Sequence, residues 1–221
     1  MTRSSLGLVL FTALAACSDP PSTDATVMVP VGSEVALSYD VAPASATAIA
    51  GTPVAVTVTA LAGPGKIASA FTGTVHLTTS DPKAELPFEV VFAPDDKGVK
   101  HVAVTFTTAG PHSLLGVDKT NDLIRGTAAL TVVAATAASC IAGQAPSAAV
   151  AGSLFGVTIG LRDRFDNVAA GYAGTISVTT TDARAQLPPS ATYVAGDAGS
   201  HAFSTVLLTA GSQTEIGRAH V

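Results

Sequence analysis

The chain has 221 residues, a formal net charge of −5, and only 12% charged residues against 48% apolar ones. It has no cluster of Lys and Arg, so the composition gives no support for a nucleic-acid partner or for electrostatic binding to an anionic membrane. The length allows one large domain or two small ones.

The chain opens with the pattern of a bacterial export signal. Arg3 gives a positive start, and residues 6–14 form an apolar core too short to cross a bilayer. The next residues, Leu14-Ala15-Ala16-Cys17, resemble the lipobox of bacterial lipoproteins. The resemblance implies that residues 1–16 are a lipoprotein signal peptide and that Cys17 is lipidated. The alternative is an ordinary signal peptide with an unrelated cysteine.

Residues 17–34 follow as the lipidated cysteine and a tether. The pair Pro20-Pro21 favours extended backbone, and the surrounding Ser, Thr and Asp offer nothing to bury. A lipid at Cys17 implies a protein anchored in the bacterial cell envelope. Ser18 after the cysteine implies the outer membrane, with the protein facing the periplasm or the cell surface.

The first domain is predicted over residues 35–135 and consists of strands. Apolar and polar residues alternate at 54–58, 75–77 and 102–106, which indicates strands with one buried face. Leu130 to Val133 suit a last strand, and Gly- and Pro-rich turns separate the runs. About seven short strands in about 100 residues predict an all-β antiparallel sandwich.

The second domain, residues 136–214, repeats the first. Residues 151–214 carry the pattern of residues 50–113 shifted by 101, without a gap. This period is too long for a solenoid unit and predicts a tandem pair of whole domains. Residues 134–143, rich in Ala, Ser and Thr, are predicted to be a hinge.

The repeated motifs resemble bacterial Ig-like tandem repeats of surface proteins and adhesins. The residues that carry the likeness are Asp163-Arg164-Phe165-Asp166-Asn167, Gly171-Tyr172-Ala173-Gly174-Thr175, Thr181-Asp182, Leu187-Pro188 and Thr209-Ala210-Gly211. The likeness implies tandem Ig-like antiparallel β-sandwiches. The first copy departs from it where Gly63-Pro64-Gly65-Lys66 replaces the acidic loop.

The last residues, 215–221, break the repeat. They match the in-frame translation of a common sequencing adapter, so we predict a non-native tail there. The second sandwich is therefore predicted to be incomplete at its C-terminus, and unstable for lack of its final strands.

Candidate chemical sites are few. Asp163, Asp166 and Asn167 are close enough in sequence for their oxygens to meet a Ca²⁺, but turn chemistry explains them as well, and two neighbouring arginines oppose a cation. We predict no metal, no cofactor and no catalytic residues. Asp81 and Asp182 are predicted to end strands in turns, and Cys140 to be a small buried residue.

These features predict a non-enzymatic cell-surface lipoprotein whose Ig-like repeats act as a stalk or as adhesion modules. It would contact the membrane through its N-terminal lipid and bind an unspecified protein or glycan, but no nucleic acid. The alternative is the anchor and spacer of a larger secreted enzyme whose catalytic domain is missing from this chain.

Overall fold

The computed structural model describes residues 35–188 and 190–220. This part consists of strands, loops and two short 3-10 helices, Pro94–Asp96 and Ala195–Asp197. The predicted signal peptide, Cys17 and the predicted tether lie outside the described residues. No helix in the described part is long and apolar enough to cross a bilayer.

The first sandwich contains nine of the described strands. In chain order they are β1 to β9: Ser38–Pro43, Thr47–Ile49, Pro53–Gly63, Lys66–Ile67, Thr74–Thr79, Glu89–Val91, Val99–Thr105, Gly110–Asp118 and Arg125–Val133. In one sheet, β3 lies between β1 and β7 and also pairs with β4; the other sheet has the order β2-β9-β8-β5-β6. The pairing is antiparallel except between β2 and β9, which run parallel.

The core of the first sandwich follows from the period-two pattern. Val56, Val58 and Ala60 of β3 are fully buried, as are Val75 and Leu77 of β5. Successive side chains of a strand point to opposite faces, so each strand gives one row to the core between the sheets. The predicted phase of these strands is confirmed.

The second sandwich has the same plan. Its strands β10 to β15 are Ser139–Ala142, Leu154–Arg162, Thr175–Thr180, Ala191–Thr192, Ser200–Val206 and Glu215–His220. They form two sheets of order β10-β11-β14 and β13-β12-β15. The predicted class, all-β with tandem Ig-like sandwiches, is confirmed.

The 101-residue register extends beyond the residues that resemble each other in sequence. Ser38 pairs with Leu61 in the first sandwich, and Ser139 pairs with Arg162 in the second, each 101 positions further on. Strand β10 therefore corresponds to β1, although the two share little sequence. The predicted hinge over 134–143 is wrong in its second half, because the main chain of 139–142 pairs with β11.

The C-terminal strand β15 corresponds to β8. Thr79 pairs with Leu114, and Thr180 pairs with Glu215 at the same offset. One of the final strands expected to be missing is thus present, whereas the described residues hold no counterpart of β9. That residues 215–221 are non-native stays a prediction.

Beside β15 a groove of about 790 Å³ opens between the sheets of the second sandwich. It lies where β9 covers the first sandwich, and its lining includes Cys140, Val178 and Leu207. Cys140 is half-buried and packs against the second core, in the place that Tyr39 occupies in the first sandwich.

Candidate functional site: the joint between the two sandwiches

The acidic loop of the second sandwich, residues 163–167, is built around one buried carboxylate. Asp163 is 3% exposed. Its Oδ1 accepts from the backbone N–H groups of Phe165 and Asn167 at 2.8 and 2.9 Å. Its Oδ2 accepts from the side-chain amide of Asn167 at 2.8 Å and from the backbone N–H of Ala135 at 2.9 Å. Asp163 therefore fastens the loop to the segment that leaves the first sandwich.

These bonds keep Asp163 ionised. Burial opposes the charge, but the hydrogen bonds, led by that of the Asn167 amide, outweigh it and lower the pKa of Asp163. An ionised carboxylate offers about four lone-pair sites, and four N–H donors already use them. The carboxylate is thus committed to shaping the loop.

Asn167 joins the two sandwiches directly. Its Nδ2 donates to the carbonyl oxygen of Thr107, and its Oδ1 accepts from the backbone N–H of Ala109, both at 2.8 Å. These two groups lie between β7 and β8, at the end of the first sandwich. Because Asn167 is 9% exposed, the bonds are shielded from water.

Phe165 adds an apolar contact to the joint. It packs against the core of the first sandwich, although it belongs to the second. Its ring lies over Gly51, where a Cβ would come within 2.3 Å of the ring, and Gly51 also has a left-handed φ of 75°. Glycine is therefore required at this position both for backbone conformation and for space.

The surface that receives the loop is shaped by a second buried carboxylate, Asp81. It accepts from the backbone N–H groups of Thr107 and Thr108 at 2.8 and 3.0 Å, from Thr108 Oγ1 at 2.7 Å and from the N–H of Lys83 at 3.0 Å. Burial opposes ionisation of Asp81, but these bonds lower its pKa to about 2. Asp81 holds the N–H of Thr107 while Asn167 binds the carbonyl of that residue.

The three residues predicted as an alternative Ca²⁺ site are not brought together. Asp163 and Asn167 bond to each other, whereas the side chain of Asp166 is 82% exposed and lies 3.9 Å from Arg162. Asp166 has a φ of 70°, a conformation that Asp tolerates in turns. In the described residues, no group of three or more His, Cys, Asp or Glu is placed to hold a metal ion.

The absence of a metal site remains a prediction with a direct test. We expect thermal melts of the protein in excess Ca²⁺ and in EDTA to coincide, because the carboxylate of Asp163 has no free lone pair to offer. A ligand present at a hundred times its Kd stabilises by about 2.7 kcal/mol. A reproducible rise of the melting temperature in Ca²⁺ that Asp163→Asn abolishes would contradict the expectation.

Comparisons with known proteins give likenesses in structure alone. No family model matches the chain, and neither does any curated protein. Similar solved structures include the adhesin FdeC of Escherichia coli, 14% identical over 82% of this chain and 59% of that one, with a TM-score of 0.47. The adhesin InvE of Yersinia pseudotuberculosis is 15% identical over 85% and 61%, with a TM-score of 0.40.

A β-glycosidase of Bacteroides vulgatus is also similar, at 12% identity over 77% of this chain and 21% of that one, with a TM-score of 0.36. The chain spans about three-fifths of the length of FdeC and InvE. The neighbours thus include both adhesins and an enzyme.

Proposed function

We propose that this protein is a non-enzymatic lipoprotein of the bacterial cell envelope whose stacked Ig-like sandwiches form a stalk or carry adhesion modules. The lipid on Cys17 would anchor it, with the outer membrane as the site of attachment, facing the periplasm or the cell surface. No cofactor is needed, and the ligand of an adhesive module would be a protein or a glycan.

The observation that carries this proposal is the joint. A stalk transmits position along its length only when successive modules are held at a fixed angle. Here the partly buried Phe165 and the buried Asn167 of one sandwich both contact the end of the other. A simple linker leaves modules free to turn, and domain motion is then expected. The hydrogen bonds of Asn167 restrict this rotation of one sandwich relative to the other.

The direction of the joint also supports the proposal. At the position of the docking loop, the first sandwich has residues 62–66, Ala-Gly-Pro-Gly-Lys, with neither the carboxylate nor the amide. It therefore presents no equivalent loop toward its own N-terminal side. This suits a first module that follows a tether and not another sandwich.

The stalk is tested by removing the apolar contact of the joint. In the unanchored Cys17→Ala chain, small-angle scattering should give one narrow distribution of shapes. Adding Phe165→Ala should broaden it, because Phe165 touches the first sandwich and leaves the hydrogen bonds of its own loop intact. Phe88→Ala is the matched control, since Phe88 is 57% exposed. Equal distributions for the three proteins would refute the stiff joint.

The anchor is tested by labelling with a palmitate analogue in an expressing bacterium. We expect the full chain to be labelled and to fractionate with membranes, and Cys17→Ala to lose both properties. The other cysteine gives the control, because Cys140→Ala should be labelled like the unchanged protein. Label on Cys17→Ala would show that the lipobox interpretation is wrong.

A further inference from the structure

We propose that the far end of the second sandwich is a docking site for a further sandwich that carries a loop like residues 163–167. This inference extends the proposed stalk. It commits to one occupant, a third module joined after the second, and it rests on a surface that the chain builds twice.

The receiving surface of the first joint is reproduced at the far end of the second sandwich. Asp182 accepts from the N–H groups of Leu208 and Thr209 at 2.7 and 2.9 Å, from Thr209 Oγ1 at 2.8 Å and from the N–H of Arg184 at 2.9 Å. Each partner stands 101 positions after the corresponding partner of Asp81, and the paired distances differ by 0.1 Å. A buried carboxylate with the same set of hydrogen bonds therefore fixes the backbone at the far end of each sandwich.

The groups that bind Asn167 also recur. The carbonyl of Leu208 and the N–H of Ala210 stand where Thr107 and Ala109 stand in the first sandwich. In the described part of the chain, no side chain bonds to either group. Ala210 is exposed, whereas Ala109 is half-buried under the joint. The carbonyl and N–H pair that binds Asn167 in the joint therefore recurs, without a bound side chain among the described residues, at the far end of the second sandwich.

The position that the Phe165 ring occupies on the first sandwich also recurs on the second. Gly152 corresponds to Gly51 and has the same left-handed backbone, with a φ of 83° against 75°. The N–H of Gly152 donates to Leu207 O at 2.8 Å, as that of Gly51 donates to Phe106 O at 2.7 Å. A Cβ at Gly152 would meet nothing within 4 Å, so space for an aromatic ring is open there.

The loop that binds the far end of the first sandwich indicates what would bind the same surface on the second. An amide side chain with one donor and one acceptor matches the carbonyl and the N–H, and a ring fits over the glycine. The sequence 163–167 supplies both, whereas residues 62–66 supply neither. The surface should therefore bind a module that carries a loop like residues 163–167, and not one that carries a loop like residues 62–66.

The test uses the repeat length of the chain itself. A duplicate of residues 114–214, one full period of 101 residues, is inserted after Thr214. The insertion gives the second sandwich the last strands of the first and adds a third sandwich identical to the present second one. In the matched control, the inserted copy carries Ala-Gly-Pro-Gly-Lys from residues 62–66 in place of its docking loop. Amide hydrogen exchange of Ala210 is measured in both.

We expect the N–H of Ala210 to exchange at least ten times more slowly with the intact loop than with the control loop. Equal exchange with the two loops would overturn the inference. The N–H of Ala109 is an internal reference, because it lies in the existing joint. A protected Ala109 with an unprotected Ala210 would refute the second docking site alone, whereas loss of protection at both would refute the stiff stalk as well.

Discussion

The variant Asp81→Ala is expected to destabilise the first sandwich by roughly 3 kcal/mol, because it leaves four partly buried N–H and O–H donors without their acceptor. In a domain of this size such a change lowers the melting temperature by ~15 °C. Hydrogen exchange followed by mass spectrometry separates the two sandwiches, and the loss of protection should fall on β3 and β5. The exposed Asp122 provides the control, since Asp122→Ala removes the same charge from the surface.

The same carboxylate predicts a dependence on pH. Its pKa is lowered from 3.8 to about 2 in the folded protein, so its contribution is complete above the pKa of the unfolded chain and is lost as the pH falls from about 4 to about 2. That contribution amounts to about 2 kcal/mol. Urea denaturation should therefore show a steeper loss of stability below pH 4 for the unchanged protein than for Asp81→Asn. Parallel curves would contradict the assignment.

The variant Asp163→Ala is expected to release the two sandwiches from each other. It takes the acceptor from Ala135, Phe165 and Asn167 together, and Asn167 loses the bond that orients it toward Thr107. We expect a cost of roughly 3 kcal/mol and a separation of the unfolding of the protein into two transitions. The measurement is urea denaturation read by hydrogen exchange in each sandwich.

The control for this variant lies in the same loop. Asp166→Asn removes a neighbouring charge but keeps a residue that tolerates the left-handed backbone at this position. Because the side chain of Asp166 is 82% exposed, we expect its replacement to leave the coupling between the sandwiches unchanged. An equal effect of the two variants would mean that charge in the loop, and not the buried hydrogen bonds, holds the joint.

The main strands were predictable because two independent signals agree on them. Val56 and Val58 show the alternation of a half-buried strand, and Val157 repeats it at the fixed offset. Strands β1 and β10 could not be recognised in this way, since Tyr39 in one corresponds to Cys140 in the other. Their pairing is set by contact with β3 and β11, which lie far away in the sequence.

The joint could be predicted only in part. The spacing of Asp163 and Asn167 indicates a turn or a cation site, but an Asp that shapes a turn and an Asp that also fastens two domains have the same local sequence pattern. Ala109, which donates to Asn167, is 58 residues away in the sequence. No local pattern around either residue indicates this contact. The contrast with residues 62–66, where the first copy lacks the motif, was the one available signal.

The parallel pairing of β2 with β9 determines how the first sandwich bears a pulling force. The chain enters β2 from the N-terminal side at Thr47 and leaves β9 at Val133 toward the joint, and the two strands lie side by side in the same direction. Tension from the N-terminal side first meets the antiparallel pairing of β1 with β3. Once β1 is released, the tension drags β2 and β9 past each other along their length. The backbone bonds between them share this shear and must break together, whereas bonds at an opened hairpin would break one by one. In the proposed stalk, a pull between the anchor and the joint would load the first sandwich along this axis.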